Sequence, residues 1–208
     1  DGVKFVGSCE VISENKTIAK DKGDILFRNY GVSGPPVLQI SRKAGELLKN
    51  KRDAILKISI IDTMSKKELD HLLMKRFRDM PEKALDFSLV GLINKRLIRV
   101  VLKQAGIKDL NKPVAKVTEK ERRKIAHILT DWRFNITGTM SWPNAQVTAG
   151  GVNTDEIDPF TMESVLVHGL YFSGEIMDID GACGGFNLQW AWSSGYVAGE
   201  NAAKEVKQ

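Results

Sequence analysis

Gly169-Leu170-Tyr171-Phe172-Ser173-Gly174-Glu175-Ile176-Met177-Asp178-Ile179-Asp180-Gly181-Ala182-Cys183-Gly184-Gly185-Phe186-Asn187-Leu188-Gln189 is the stretch on which the reading of this chain turns. Leu170 to Phe172 reads as a short buried strand, followed by a small-residue turn that carries a carboxylate, a glycine-rich loop and the start of a helix. That helix is expected from Phe186 to Val206, with Trp190, Ala191, Ser194, Val197, Ala198 and Ala202 on or near one face. The first turn of a helix leaves backbone N–H groups unpaired and carries partial positive charge, which suits an anionic or electron-rich ligand edge. Gly184 and Gly185 let that backbone come close to a flat ring, and Glu175 stands where a carboxylate accepts hydrogen bonds from sugar-alcohol hydroxyls.

Upstream, Val3 to Phe27 alternates apolar and polar positions and reads as short antiparallel strands. Gly31-Val32-Ser33-Gly34-Pro35-Pro36 interrupts this pattern, a helix is expected from Val37 to about Leu48, and Ala54 to Ile61 returns to strand character. From Ser65 the period becomes helical. Ser65 with Glu68 and Thr118 with Glu121 have capping-box spacing, and Leu89, Leu92, Ile93, Leu97, Val100 and Val101 predict one helix over roughly Phe87 to Gln104. Trp132 to Thr139 and Gln146 to Val152 are read as strands, the second running into a double-glycine turn.

The 208-residue composition, 42% hydrophobic and 27% charged, is that of a globular protein, and no apolar run approaches the roughly 20 residues a membrane helix needs. Cys9 and Cys183 lie far apart without metal spacing, so neither a disulfide framework nor a metal site is expected, and a reducing cytoplasm fits best. The net charge of +5 comes from lysines and arginines concentrated between Arg42 and Lys124. A solvated face on a helical insert is the simpler account of that asymmetry; an acidic partner is the alternative.

Gly23-Asp24-Ile25-Leu26-Phe27, Gly31-Val32-Ser33-Gly34-Pro35, Thr148-Ala149-Gly150-Gly151-Val152, and Gly174-Glu175 followed by Gly184-Gly185-Phe186-Asn187-Leu188-Gln189 occur in order along the chain. Together they resemble the BaiN/RdsA-like family of bacterial NAD(P)/FAD-dependent, aminoacetone oxidase-like flavoproteins. The resemblance implies an α+β fold: a β-rich, antiparallel, barrel-like domain with a helical insert, plus the C-terminal strand-loop-helix of a Rossmann-like FAD domain. Residues 1–62 would begin the β-rich domain, 63–130 form the helical insert, 131–150 complete the β-rich domain and 151–208 close the FAD domain. It also implies a cofactor set of Gly150, Gly151, Gly174, Glu175, Gly184, Gly185, Phe186, Asn187 and Leu188. In this set Glu175 holds the ribityl chain and the 185–188 backbone faces the pyrimidine edge of the flavin.

The family's N-terminal Gly-x-Gly-x-x-Gly turn is absent, and the chain begins at Asp1 without an initiator Met. The expectation is therefore the C-terminal portion of a FAD-dependent oxidoreductase, holding an incomplete FAD site and inactive by itself, with the small organic substrate and any use of NAD(P) undetermined. The Leu170 to Phe172 strand, deprived of parallel neighbours, would present an edge for a swapped homodimer. A noncatalytic module whose basic insert binds nucleic acid or an acidic protein is the second reading; with no recognition motif and no interleaved aromatics, nucleic acid is not the expected partner.

No catalytic residue is assigned. Asp178 and Asp180 read as loop residues bonding local backbone, and Cys183 as a loop filler without a CxxC partner. His71, His127 and His168 have no ligand spacing, and the four tryptophans are expected mainly to pack, with Trp142-Pro143 the most exposed.

Overall fold

A computed structural model describes residues 1–140 and 142–205, and the chain divides into two compact units, Asp1–Thr139 and Met140–Gln208. The fold is α+β.

The first unit is built on a long hairpin. β1 (Val3–Ser13) and β2 (Lys16–Arg28) pair antiparallel from Val3↔Phe27 to Ser13↔Lys16, with a slip between Val11 and Ile12. Glu14 and Asn15 join them with φ of 50° and 60°, the doubly positive geometry that matches the twist of the flanking strands. β3 (Gly31–Ser33), β4 (Ile55–Ser59) and β5 (Trp132–Asn135) complete an antiparallel sheet in the order β3-β2-β1-β4-β5.

That sheet curls into a half-barrel, and one aromatic cluster shows how far. Phe27 on β2 and Trp132 on β5 lie three strand spacings apart in sheet order, about 14 Å in a flat sheet. Their ring centroids are 5.8 Å apart, and Phe5 and Phe134 stack into the same group. α1 (Pro35–Lys49), begun by two prolines that tolerate the first helical turn, buries Pro36, Ile40, Ala44 and Leu47 at one-face spacing.

The helices between β4 and β5 begin with α2 (Lys66–Asp79) and end with α5 (Glu119–Thr130), and both predicted capping boxes are formed. Arg122 on α5 holds Asp70 on α2 with two bonds, at 2.8 and 3.2 Å. The chain leaves and re-enters the sheet through a closed stem, in which Ser59 Oγ donates to Thr130 O at 2.7 Å and Ile61 N to Leu129 O at 2.9 Å.

The single helix expected over Phe87 to Gln104 is two helices, α3 (Leu85–Ser88) and α4 (Lys95–Gln104). Gly91, at φ 81°, turns the chain between them, and Asn94 caps α4 by accepting from Arg96 N. Leu89, Ile93, Leu97 and Val101 are all buried at four-residue spacing, so the apolar period runs straight through a break in the backbone.

In the second unit, the long helix α6 (Phe186–Glu205) packs with loops around Ile157, Met162, Met177 and Ala198. The expected end of this helix at Val206 lies outside the described residues. Two expected strands are absent. Leu170 to Phe172 makes one antiparallel bridge, Tyr171 to Glu163, and Leu170 is 42% exposed. The run is too short to hold a ladder and instead folds back on its own loop, with Phe172 N donating to Met162 O. The strand edge on which the swapped dimer was premised is therefore not present. Gln146 to Val152 likewise contributes only a bridge from Val152 to Met177, because Gly150, at φ 97°, carries the chain out of extended geometry.

Candidate functional site

Glu175 and Thr148 bring two of the quoted motifs together. The Thr148 N–H donates to Glu175 Oε1 at 2.6 Å, tying the Thr148-Ala149-Gly150-Gly151 segment to the short turn Gly174–Ile176. Val152 N donates to Ile176 O at 2.8 Å and Asp178 N to Val152 O at 3.0 Å, so the two segments run side by side. At Gly151 they touch: a Cβ there would lie 2.4 Å from Ile176 O and 2.6 Å from Met177 C, a space open only to glycine. Glu175 is exposed, and among the described residues its other carboxylate oxygen has no partner.

Gly174 is buried against α6. Its N–H donates to Ser194 Oγ at 2.9 Å, its carbonyl accepts from Trp190 Nε1 at 3.2 Å, and Ser194 Oγ in turn donates to Trp190 O at 2.6 Å. Trp190 and Ser194 stand four residues apart on the packed helix face, so one helical turn fixes both the N–H and the carbonyl of Gly174. The helix-face periodicity singles out both residues, whereas their bonding role follows only from the fold. Thr148, the partner of Glu175, carries no signal of its own, since its backbone makes the bond.

The start of α6 is held by its own side chain. Gly181 N donates to Asn187 Oδ1 at 2.7 Å, and Asn187 Nδ2 donates back to Gly181 O at 3.3 Å. Gln189 N donates to Gly185 O at 3.0 Å, the first bond of the helix. Among the described residues no acceptor is placed against the backbone N–H groups of Phe186, Asn187 and Leu188. Gly184 and Gly185 are exposed, at φ 127° and 96°, and nothing lies within 4 Å of where a Cβ on Gly185 would be. The Phe186 and Leu188 side chains are also exposed, at 63% and 62%. An accessible row of donors at the positive end of a 20-residue helix fits the electron-rich edge of a flavin, and the open oxygen of Glu175 fits a hydroxyl.

Other candidates resolve structurally. His168 Nδ1 sits 2.9 Å from Glu163 Oε1, and Cys9 is buried while Cys183 is exposed. Trp132 is buried and Trp142 is exposed. Among the described residues no three metal-ligating side chains cluster, and no helix is long and apolar enough to cross a membrane.

An antiparallel half-barrel carrying inserted helices, joined in sequence to a glycine-bounded helix start, defines the class. Residues 1–147 match the model of the HI0933-like protein barrel and H2TH domain, and the chain belongs to this flavoprotein family. It is 32% identical over 203 residues to a 3-dehydro-bile acid delta(4,6)-reductase of Clostridium scindens, covering 98% of this chain and 49% of that protein. It is 33% identical to ribosomal RNA dihydrouridine synthases of Escherichia coli, over 193 residues, and Haemophilus influenzae, over 183 residues. Those matches cover 92% and 87% of this chain, and 44% and 42% of the respective relatives. The chain thus spans about half the length of the curated relatives it matches.

Proposed function

We propose that this chain supplies the isoalloxazine-facing part of an FAD-dependent oxidoreductase that reduces a ring carbon–carbon double bond conjugated to a carbonyl. The open N–H row at Phe186, Asn187 and Leu188, set between exposed glycines and the Asn187 clasp, is the observation that carries this reading. Bound FAD, once reduced, would supply the hydride and return to its oxidised form, with a proton completing the addition. The helix start would hold the electron-rich edge of the ring and favour its reduced, anionic form through positive end charge. Glu175 would accept a ribityl hydroxyl on its open oxygen while its other oxygen keeps the Gly150-Gly151 segment in place. The names of the relatives support the reaction class, since a delta(4,6)-reductase of a 3-dehydro steroid and a synthase of dihydrouridine both describe hydrogen added across such a bond.

The test is the visible spectrum of the protein at its full natural length, followed by anaerobic reduction and reoxidation with a cyclic enone or a uridine-containing RNA. Flavin bands that bleach on reduction and return with either acceptor are expected. A colourless protein that takes up no added FAD would overturn the reading.

A further inference from the structure

The first unit carries a charge segregation that the flavin reading does not use. Residues 63–130 hold seventeen lysines and arginines against eight aspartates and glutamates, nine positive charges in excess, while the remainder of the chain is net negative. Much of this excess is organised. Lys120, Arg123, Lys124 and His127 recur at i, i+3, i+4 and i+7 along α5, all exposed, and so form a single stripe about 10 Å long. With Lys66 at the start of α2 and with Thr118 and Glu119, they line an open groove of about 600 Å³.

Its chemistry is one-sided. Arg123 pairs with Glu119, the only acid in the lining, whereas Lys66, Lys120 and Lys124 have no carboxylate partner among the described residues. The opposite side of α5 buries Ile125, Ala126, Ile128 and Leu129, so the helix is anchored and the stripe is a fixed array. Three unpaired ammonium groups beside one another repel, and a polyanion relieves that repulsion.

We propose that this groove binds the phosphodiester backbone of a double-stranded or folded nucleic acid. A protein partner would require apolar or aromatic anchors at the centre of the contact, and the lining has none. Single strands are typically held by stacking successive bases on several aromatic side chains, and the lining offers one ring, the imidazole of His127, against four lysines and arginines, which favours regularly spaced phosphates as the matching surface. The contact reads backbone and not sequence. This surface goes beyond the proposed redox chemistry and does not depend on flavin.

The experiment is fluorescence anisotropy of the full chain with a 20-base-pair RNA duplex and its DNA counterpart over a range of salt, with poly-glutamate as competitor. Binding that weakens linearly in log–log form is expected, and Lys120→Gln/Lys124→Gln should lower the slope by about two and weaken affinity on the order of tenfold. The Lys95→Gln/Lys103→Gln control, on α4, should leave the slope unchanged. RNA and DNA binding alike, or RNA alone, both support the groove and identify the source. Three results would overturn the proposal: no duplex binding, an equal loss in the α4 control, or displacement by poly-glutamate at matched charge. Unchanged circular dichroism melting of both variants separates lost contact from lost fold.

Discussion

Asn187 closes on Gly181 through both ends of its amide, accepting from the glycine N–H at 2.7 Å and donating to its carbonyl at 3.3 Å. The second residue of α6 therefore also fixes the loop that leads into it. Asn187→Ala removes both bonds, worth about 1–2 kcal/mol together. If the helix start faces the flavin, FAD affinity of the full-length protein falls by about tenfold in calorimetric titration. Asn187→Asp, which cannot donate and brings a negative charge to the helix start, falls further. Equal FAD affinity in all three proteins would separate the clasp from cofactor binding.

Gly151 lies against backbone that cannot move aside like a side chain, 2.4 Å from Ile176 O at its missing Cβ. Gly151→Ala is expected to destabilise the second unit by about 1–3 kcal/mol through overpacking, seen as faster proteolysis between residues 140 and 180. Gly150→Ala meets open space and incurs only the strain of its positive φ, roughly 1–2 kcal/mol. Equal protease sensitivity of the two variants would contradict the close approach.

Ser65 and Thr118 each accept from the backbone N–H three residues on, at 3.3 Å, while Glu68 and Glu121 bond back to the cap backbone. Ser65→Ala and Thr118→Ala should each lower the urea midpoint by an amount equivalent to about 1 kcal/mol. A loss much below 0.5 kcal/mol in both would show that packing of α2 on α5, rather than capping, sets the helix starts.

Burial pushes the Glu10 carboxyl up, but the Lys57 ammonium and Thr17 hydroxyl, each at 2.9 Å, with Lys20 at 3.4 Å, outweigh it and hold it below the ordinary range. With the folded value below the unfolded one, the stabilisation is fully present above roughly pH 4.3 and is lost as pH falls through the folded value. Urea midpoints between neutral and acid pH should fall less steeply for Glu10→Gln than for the wild type. Superimposable curves would refute the assignment.

Cys9 is fully buried, and its thiol is pushed up to about 12 by burial and then by Asp21 and Glu10, whereas Cys183 is exposed. Alkylation of the native protein at mildly alkaline pH should label Cys183 within minutes and leave Cys9 untouched until urea is added. Rapid native labelling of Cys9 would show that β1 opens locally.

The capping boxes at Ser65 and Thr118 and the β1–β2 alternation were legible in the sequence because each is a local rule satisfied within a few residues; α1, expected only from Val37, begins two residues earlier because its prolines tolerate the first helical turn. The break at Gly91 was not, because Leu89, Ile93, Leu97 and Val101 keep helical spacing across it, and burial rather than backbone conformation sets that period. Leu170 to Phe172 misled for the converse reason: an apolar triplet resembles a strand until a partner is sought, and here the nearest backbone belongs to its own loop. In the candidate site, the glycines and Glu175 stood out as residue types, but the bonds from Thr148 and Ser194 span 27 and 20 residues and belong to the tertiary fold alone.

To the sheet, the helices between β4 and β5 are one overgrown hairpin loop, closed where Ser59 meets Thr130. Closure entropy grows only with the logarithm of length, so a loop of about seventy residues costs about 1.7 kcal/mol more to close than one of ten. The length of the insert therefore weighs little on the half-barrel. Its packing weighs more: Leu69, Ile125 and Leu129 share one buried core with Ile58 and Trp132, so the freedom to change lies at exposed positions such as Lys120 and Lys124, which can alter charge while the paired strands stay covered.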